Sequence, residues 1–176
     1  MFNSFIRFSI CVFLIISIYK PAYSTNTAND SSNMMYIGSG LQNSGFGASA
    51  LSQMITGHGN SGYGYYALGQ NNGTGNTAVG SWALYDNGSG DYNNAFGRRS
   101  LLANESGSSN MALGYQSLTS NTSGSNNVVM GHQSGYSNQT GSGNIFLGYQ
   151  SGYNETGSNK LYIDNTNTST PLIYGD

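Results

Sequence analysis

Ten side chains in this 176-residue chain have the makings of a recognition surface. Tyr65, Tyr66, Trp82, Arg98, Arg99, Tyr115, Gln116, Gln133, Tyr149 and Gln150 each stand one or two places after a glycine that recurs along the chain. Phenol and indole rings supply contact area and a polar tip at small entropic cost, and amides supply adaptable hydrogen bonds. The chemistry they suit is non-covalent contact with a protein or a glycan. Arg98-Arg99 is the one basic spot among them. Tyr136 and Tyr153, 17 residues apart, are expected to stack.

Catalysis finds much less support. His58 and His132 fall at different repeat positions and make no pair. The acids are Asp30, Asp86, Asp91, Glu105, Glu155, Asp164 and Asp176, of which only Asp86 and Asp91 share a turn region. A calcium ion needs six to eight oxygens, which this turn does not offer. No nucleophile elbow and no phosphate-binding Lys-Ser/Thr loop occurs. We expect no catalytic residues, no metal and no cofactor, and so no enzyme. Only 7% of residues are charged, against roughly 25% in an average protein. Five basic residues cannot neutralise a run of phosphates, so nucleic acid is excluded as a partner.

Residues 1–24 read as a secretory signal peptide: Arg7, an apolar run from Phe8 to Tyr19, then Ala22-Tyr23-Ser24 before Thr25. The run is too short to span a bilayer, so no membrane span is expected once the signal is removed. Cys11, the only cysteine, would leave with it. The expected location is secreted or extracellular, with stability supplied by something other than disulfides. Residues 25–42 form an expected N-terminal arm and cap.

Asn, Gly, Ser and Thr make up half of the chain. That composition alone would favour disorder, but a repeat overrides it. Gly47, Gly64, Gly80, Gly97, Gly114, Gly131 and Gly148 are spaced by 17 residues, with one residue missing between Gly64 and Gly80. The consensus is N-x-A-h-G-x-x-(A/S)-L-x-x-N-x-(S/T)-G-x-x, with h large and apolar; its positions are numbered 1 to 17 below, beginning at Asn43, Asn60, Asn76, Asn93, Asn110, Asn127 and Asn144. Seventeen residues cannot bury a core alone, but they make one coil of a solenoid that stacks on its neighbours. The segment N-x-A-h-G reads as a short strand, and the Ala/Ser-Leu segment as a second. The Asn-x-(Ser/Thr)-Gly segment is turn chemistry, placed at 72–75, 87–90, 104–107, 121–124 and 138–141. Position 3 runs Gly45, Gly62, Ala78, Ala95, Ala112, Val129, Phe146, and position 4 runs Phe46, Tyr63, Val79, Phe96, Leu113, Met130, Leu147. A narrow interior suits the small series, and the large series then needs a second apolar surface. The pattern leaves open which face points inward. Sequons occur at Asn29, Asn72, Asn87, Asn104, Asn121, Asn138, Asn154 and Asn167.

The stretch Asn76-Thr77-Ala78-Val79-Gly80-Ser81-Trp82-Ala83-Leu84 with Asn87-Gly88-Ser89-Gly90 resembles the head repeat of YadA-type trimeric autotransporter adhesins and, more closely, repeats of bacterial and phage tail-fibre-like proteins. The resemblance covers residues 43–158. The ending from Asn159 to Asp176 resembles the segment that closes such blocks. Here the coil is longer than in the YadA-type head and its core reads N-T-A-V-G. The resemblance implies a left-handed parallel β-roll, a homotrimer and attachment to a host or cell-surface molecule. The expected fold is thus an all-β parallel β-solenoid of about seven 17-residue coils over 43–158, closed by a hairpin at 159–176. The expected function is surface binding through Tyr65, Tyr66, Trp82, Arg98, Arg99, Tyr115, Gln116, Tyr149 and Gln150. A structural or fibre-spacer solenoid without a dedicated ligand is the alternative.

Overall fold

The computed structural model describes residues 35–38, 42–53 and 56–176. The expected signal peptide lies outside the described residues, as does most of the arm. The chain is an all-β parallel β-solenoid of about seven coils. Its strands are β1 (Met35–Gly38), β2 (Asn43–Phe46), β3 (Ser61–Tyr63), β4 (Gln70–Asn71), β5 (Thr77–Val79), β6 (Asp86–Asn87), β7 (Asn94–Phe96), β8 (Met111–Leu113), β9 (Val128–Met130), β10 (Ile145–Leu147), β11 (Leu161–Ile163) and β12 (Ile173–Gly175). Ten of them form one sheet in the order β1-β2-β3-β5-β7-β8-β9-β10-β11-β12. From β2 to β11 every pairing is parallel and in register with the repeat, as in Ala78↔Ala95↔Ala112↔Val129. The two end strands pair antiparallel, β1 on β2 and β12 on β11. Such end strands cover edges that would otherwise template further pairing.

The second strand expected at Ala/Ser-Leu does not form. The Leu of position 9 sits in a turn with φ near +50° at Leu51, Leu68, Leu84, Leu101 and Leu118. That left-handed corner swings the Leu side chain inward, where all five are at most 1% exposed. Among the described residues a second ladder exists only where β4 pairs β6, two residues further along. That pairing also corrects the second coil: Asn71, not Asn72, aligns with Asn87, so the turn there is the shortened Asn71-Asn72-Gly73.

Position 3 points inward and position 4 outward. Coils stack about 4.8 Å apart, so each interior site must fit both its own coil and the next. The filling is shared between positions 3 and 9. Gly45 and Gly62 accompany Leu51 and Leu68; Ala78, Ala95 and Ala112 accompany Leu84, Leu101 and Leu118; Val129 and Phe146 accompany Gly135 and Gly152. A Cβ on Gly152 would lie 2.7 Å from the Phe146 ring, and one on Gly45 2.9 Å from Leu51. Volume is traded between the two positions and across neighbouring coils, since the Phe146 ring also covers Gly135 of the coil before it, as a close-packed interior demands.

The other half of the interior is built of amides. Asn43, Asn60, Asn76, Asn93, Asn110, Asn127 and Asn144 are buried. In each, Oδ1 accepts the backbone N–H of position 1 in the next coil, at 2.8–3.0 Å. Each Nδ2 donates to a glycine carbonyl in the turn of its own coil, as Asn110 does to Gly124 at 2.8 Å. A second column, Asn71, Asn87, Asn104 and Asn121, links Nδ2 to Oδ1 between coils at 2.6–2.7 Å. The turn asparagines therefore point into the molecule. Burial of so many polar groups is tolerable because nearly all are paired; among the described residues only Asn121 Oδ1 is buried without a partner. The glycine of position 5 has φ between +120° and +143°. At Gly47, Gly64 and Gly80 an added Cβ would come within 2.7 Å of the glycine backbone in the next coil.

Candidate binding surface

Positions 6 and 7 follow the glycine corner and form two adjacent outward columns. Position 7 is held in the left-handed region, with φ of 54–62° from Tyr66 to Gln150. The inter-coil bonds fix this corner: the N–H of position 7 donates to the position 6 carbonyl of the preceding coil, as Trp82 does to Tyr65 at 2.8 Å. Like positions therefore stand one coil apart and stack.

The nine candidate residues fall into two patches. In the first, Tyr66 stacks on Trp82 at 4.7 Å and 25°, while Tyr65 meets both rings edge-on at 4.5 and 5.8 Å. Tyr85 completes this cluster, 4.6 Å from Trp82 and 5.7 Å from Tyr66. Desolvation in the cluster and the neighbouring Tyr66 phenol raise the Tyr65 pKa. In the second patch, Arg98 lies 5.8 Å over the Tyr115 ring, His132 stacks on Tyr115 at 5.1 Å, and Tyr149 stacks on His132 at 5.3 Å. Beside it runs an amide column in which Gln150 donates to Gln133 and Gln133 to Gln116, each at 3.0 Å. Tyr136 and Tyr153 stack as expected, at 4.9 Å and 3°.

Arg99 borders the first patch. A cavity of about 330 Å³ is lined by Trp82, Tyr85, Asp86, Arg99, Leu102 and Ala103. Its origin is a step in side-chain size: positions 10 and 11 carry Tyr85 and Asp86 in one coil and Leu102 and Ala103 in the next. Asp91 does not share this cavity; its Oδ1 accepts the Thr74 N–H at 2.7 Å. Three participants, Tyr85, Asp86 and His132, were absent from the expected set. Each is a departure from its column's neighbours, which a consensus averages away. His132 stands at position 6, and that was the available signal.

No family model matches this chain, and neither a curated protein nor a solved structure matches it. The repeat geometry carries the functional argument alone.

A second cavity, about 290 Å³, lies at the C-terminal end among Gly152, Tyr153, Asn154, Glu155, Tyr162, Asn167, Thr168 and Ser169. Glu155 takes the turn-asparagine position of the last coil. Its Oε1 accepts the Gly157 and Thr156 N–H groups at 2.7 and 3.0 Å, and its Oε2 accepts the Tyr162 hydroxyl at 2.6 Å. Desolvation pushes this carboxyl up, but those three hydrogen bonds and the Lys160 charge outweigh it and hold its pKa below the ordinary value. Burial, then the bond to Glu155, push Tyr162 up to about 12. Among the described residues no three His, Cys, Asp or Glu side chains gather as a metal site would require, and no helix is long and apolar enough to cross a membrane.

Proposed function

We propose that this chain is a secreted, non-enzymatic surface-binding protein, similar in design to an adhesin head, that works as a homotrimer. The observation that carries the reading is the outward column at position 4. Phe46, Tyr63, Val79, Phe96, Leu113 and Met130 are each 38–46% exposed, with Met111, Val128 and Ile145 beside them. These nine side chains present on the order of 600 Å² of apolar surface, the upper end of what monomers expose (about 300–600 Å²) and near the ~800 Å² per partner of a standard interface. A face that repeats every coil is its own best match, so further copies of the chain are the occupant. The polar aromatic columns at positions 6 and 7 supply the surface for an extracellular protein or glycan.

Light scattering coupled to size exclusion tests the assembly. The expected mass is three times that of one chain, and Leu113→Asn with Met130→Asn should give a monomer with unchanged circular dichroism. A monomeric parent protein refutes the trimer. Binding to arrays of glycans and matrix proteins tests the function: capture of a defined class supports it, and a uniformly blank array leaves the spacer reading in its place.

A further inference from the structure

The geometry points to a site for a neutral pyranose unit in the cavity between Trp82 and Arg99. This inference rests on the surface-binding reading and gives it a ligand class. The cavity has one aromatic wall and three polar groups. Among the described residues, the Trp82 indole N–H, the Asp86 carboxylate and the Arg99 guanidinium have no hydrogen-bond or ion-pair partner; the ion pair present there joins Lys160 and Asp176 instead. Around one small cavity this gives donors from Trp82 and Arg99 and acceptors from Asp86. A sugar ring asks for that combination: an aromatic face for its C–H side, and a donor–acceptor mixture for its hydroxyls. Asp86 and Arg99 contribute one charge of each sign. An anionic sugar would meet Asp86 and a cationic amine would meet Arg99, so a neutral ring is the one both accept. At about 330 Å³ the space is at the small end for ligand pockets, roughly 300–1,000 Å³, which limits it to one or two sugar units.

The wall is also held in place before any ligand arrives. Trp82 is braced by the Tyr66 stack and the Tyr85 edge. The Tyr85 hydroxyl accepts a bond from Gln70 Nε2 at 2.8 Å, and its ring lies over Gly69, where an added Cβ would be 2.6 Å from the ring. Preorganisation of this kind lowers the ordering cost of binding. The open side exists because Leu102 and Ala103 are smaller than the Tyr85 and Asp86 on which they stack.

Trp82 is the chain's only tryptophan, so its fluorescence reads this cavity alone. The experiment titrates the full chain with methyl glycosides of glucose, galactose and mannose, and with glucuronic and N-acetylneuraminic acids. The expected result is a saturable change in emission with at least one neutral glycoside. Arg99→Ala and Asp86→Asn should each raise its Kd about tenfold or more, the loss of one hydrogen bond to a charged group. Ser106→Ala, exposed in a turn outside both patches and outside this cavity, should not move it. Silence with every neutral glycoside, preference for the acids, or titrations unchanged in both variants would overturn the proposal. Array binding by the whole chain separates the two levels. Capture that survives Arg99→Ala and Asp86→Asn removes this site and keeps surface binding, whereas no capture at all removes both.

Discussion

Replacing Asn110 with Ala tests whether the buried amide column holds the coils together. Asn110 is 1% exposed. Its Oδ1 accepts the Asn127 backbone N–H at 3.0 Å, and its Nδ2 donates to the Gly124 carbonyl at 2.8 Å. Alanine leaves the Asn127 N–H buried without an acceptor, costing about 1–3 kcal/mol. The Gly124 carbonyl keeps a donor, Asn121 Nδ2 at 3.0 Å, so that loss is about 1 kcal/mol net. The sum is about 3 kcal/mol, a large part of the roughly 5–15 kcal/mol that stabilises a domain. In urea denaturation followed by circular dichroism, the midpoint should fall by roughly 1–3 M at a slope near 1–3 kcal/mol/M. Ser106→Ala, exposed and outside the column, is the control and should stay within about 0.5 kcal/mol. Asn110→Asp sharpens the test. Its carboxylate keeps an acceptor for Asn127 but aims a second oxygen at the Gly124 carbonyl, so burial raises its folded pKa above the unfolded value. Stability should then rise as pH falls, because the proton restores the missing donor. An Asn110→Ala midpoint equal to the Ser106→Ala control, with unchanged slope, would refute the reasoning.

Three further outcomes are expected. Gly114→Ala should abolish or severely impair folding, because its Cβ would strike the Gly131 carbonyl in the next coil, whereas Gly59→Ala, with nothing nearer than 3.9 Å, should lose only about 1–2 kcal/mol of left-handed backbone preference in a thermal melt. Secreted from a eukaryotic host, the folded protein should carry no glycan on Asn87, Asn104, Asn121 or Asn138, whose Nδ2 atoms are buried and donate to Gly90, Gly107, Gly124 and Gly141; peptide mass spectrometry that finds any of the four occupied in folded material contradicts the amide column. The C-terminal coil should weaken at both ends of the pH scale. Glu155 has a depressed folded pKa, so its contribution is present above its unfolded value of 4.5 and is lost as pH falls through the lower folded one. Tyr162 has a raised pKa, so its contribution is full below 10 and is lost as pH rises towards about 12; Tyr162→Phe should remove the alkaline limb in a titration followed by phenolate absorbance and circular dichroism.

The coil period, the strand at positions 1 to 5 and the parallel register were legible because each rests on spacing alone. The inward direction of position 3 was not, since a one-residue change of face exchanges every side chain. The deciding clue lay six residues further along the same coils: Gly135 and Gly152 replace Leu at the two places where position 3 grows to Val129 and Phe146. Two residues that trade volume must share a space, so positions 3 and 9 face each other inside. The turn at Asn-x-(Ser/Thr)-Gly was legible but the inward aim of its asparagine was not, because a single coil satisfies the turn and only the stacked neighbour gives the amide its second partner. Compensation also separates packing from function in this chain. Departures from the consensus that point inward come in pairs, as Phe146 with Gly152. The step from Tyr85 and Asp86 to Leu102 and Ala103 lies outward, at positions the consensus leaves open. Gly69 makes room for the Tyr85 ring on one side, but nothing fills the space on the other, which is a cavity where Trp82, Asp86 and Arg99 carry polar groups unpaired among the described residues. In a solenoid that otherwise repeats its bonds coil after coil, an uncompensated break in the repeat is where a ligand has something to recognise.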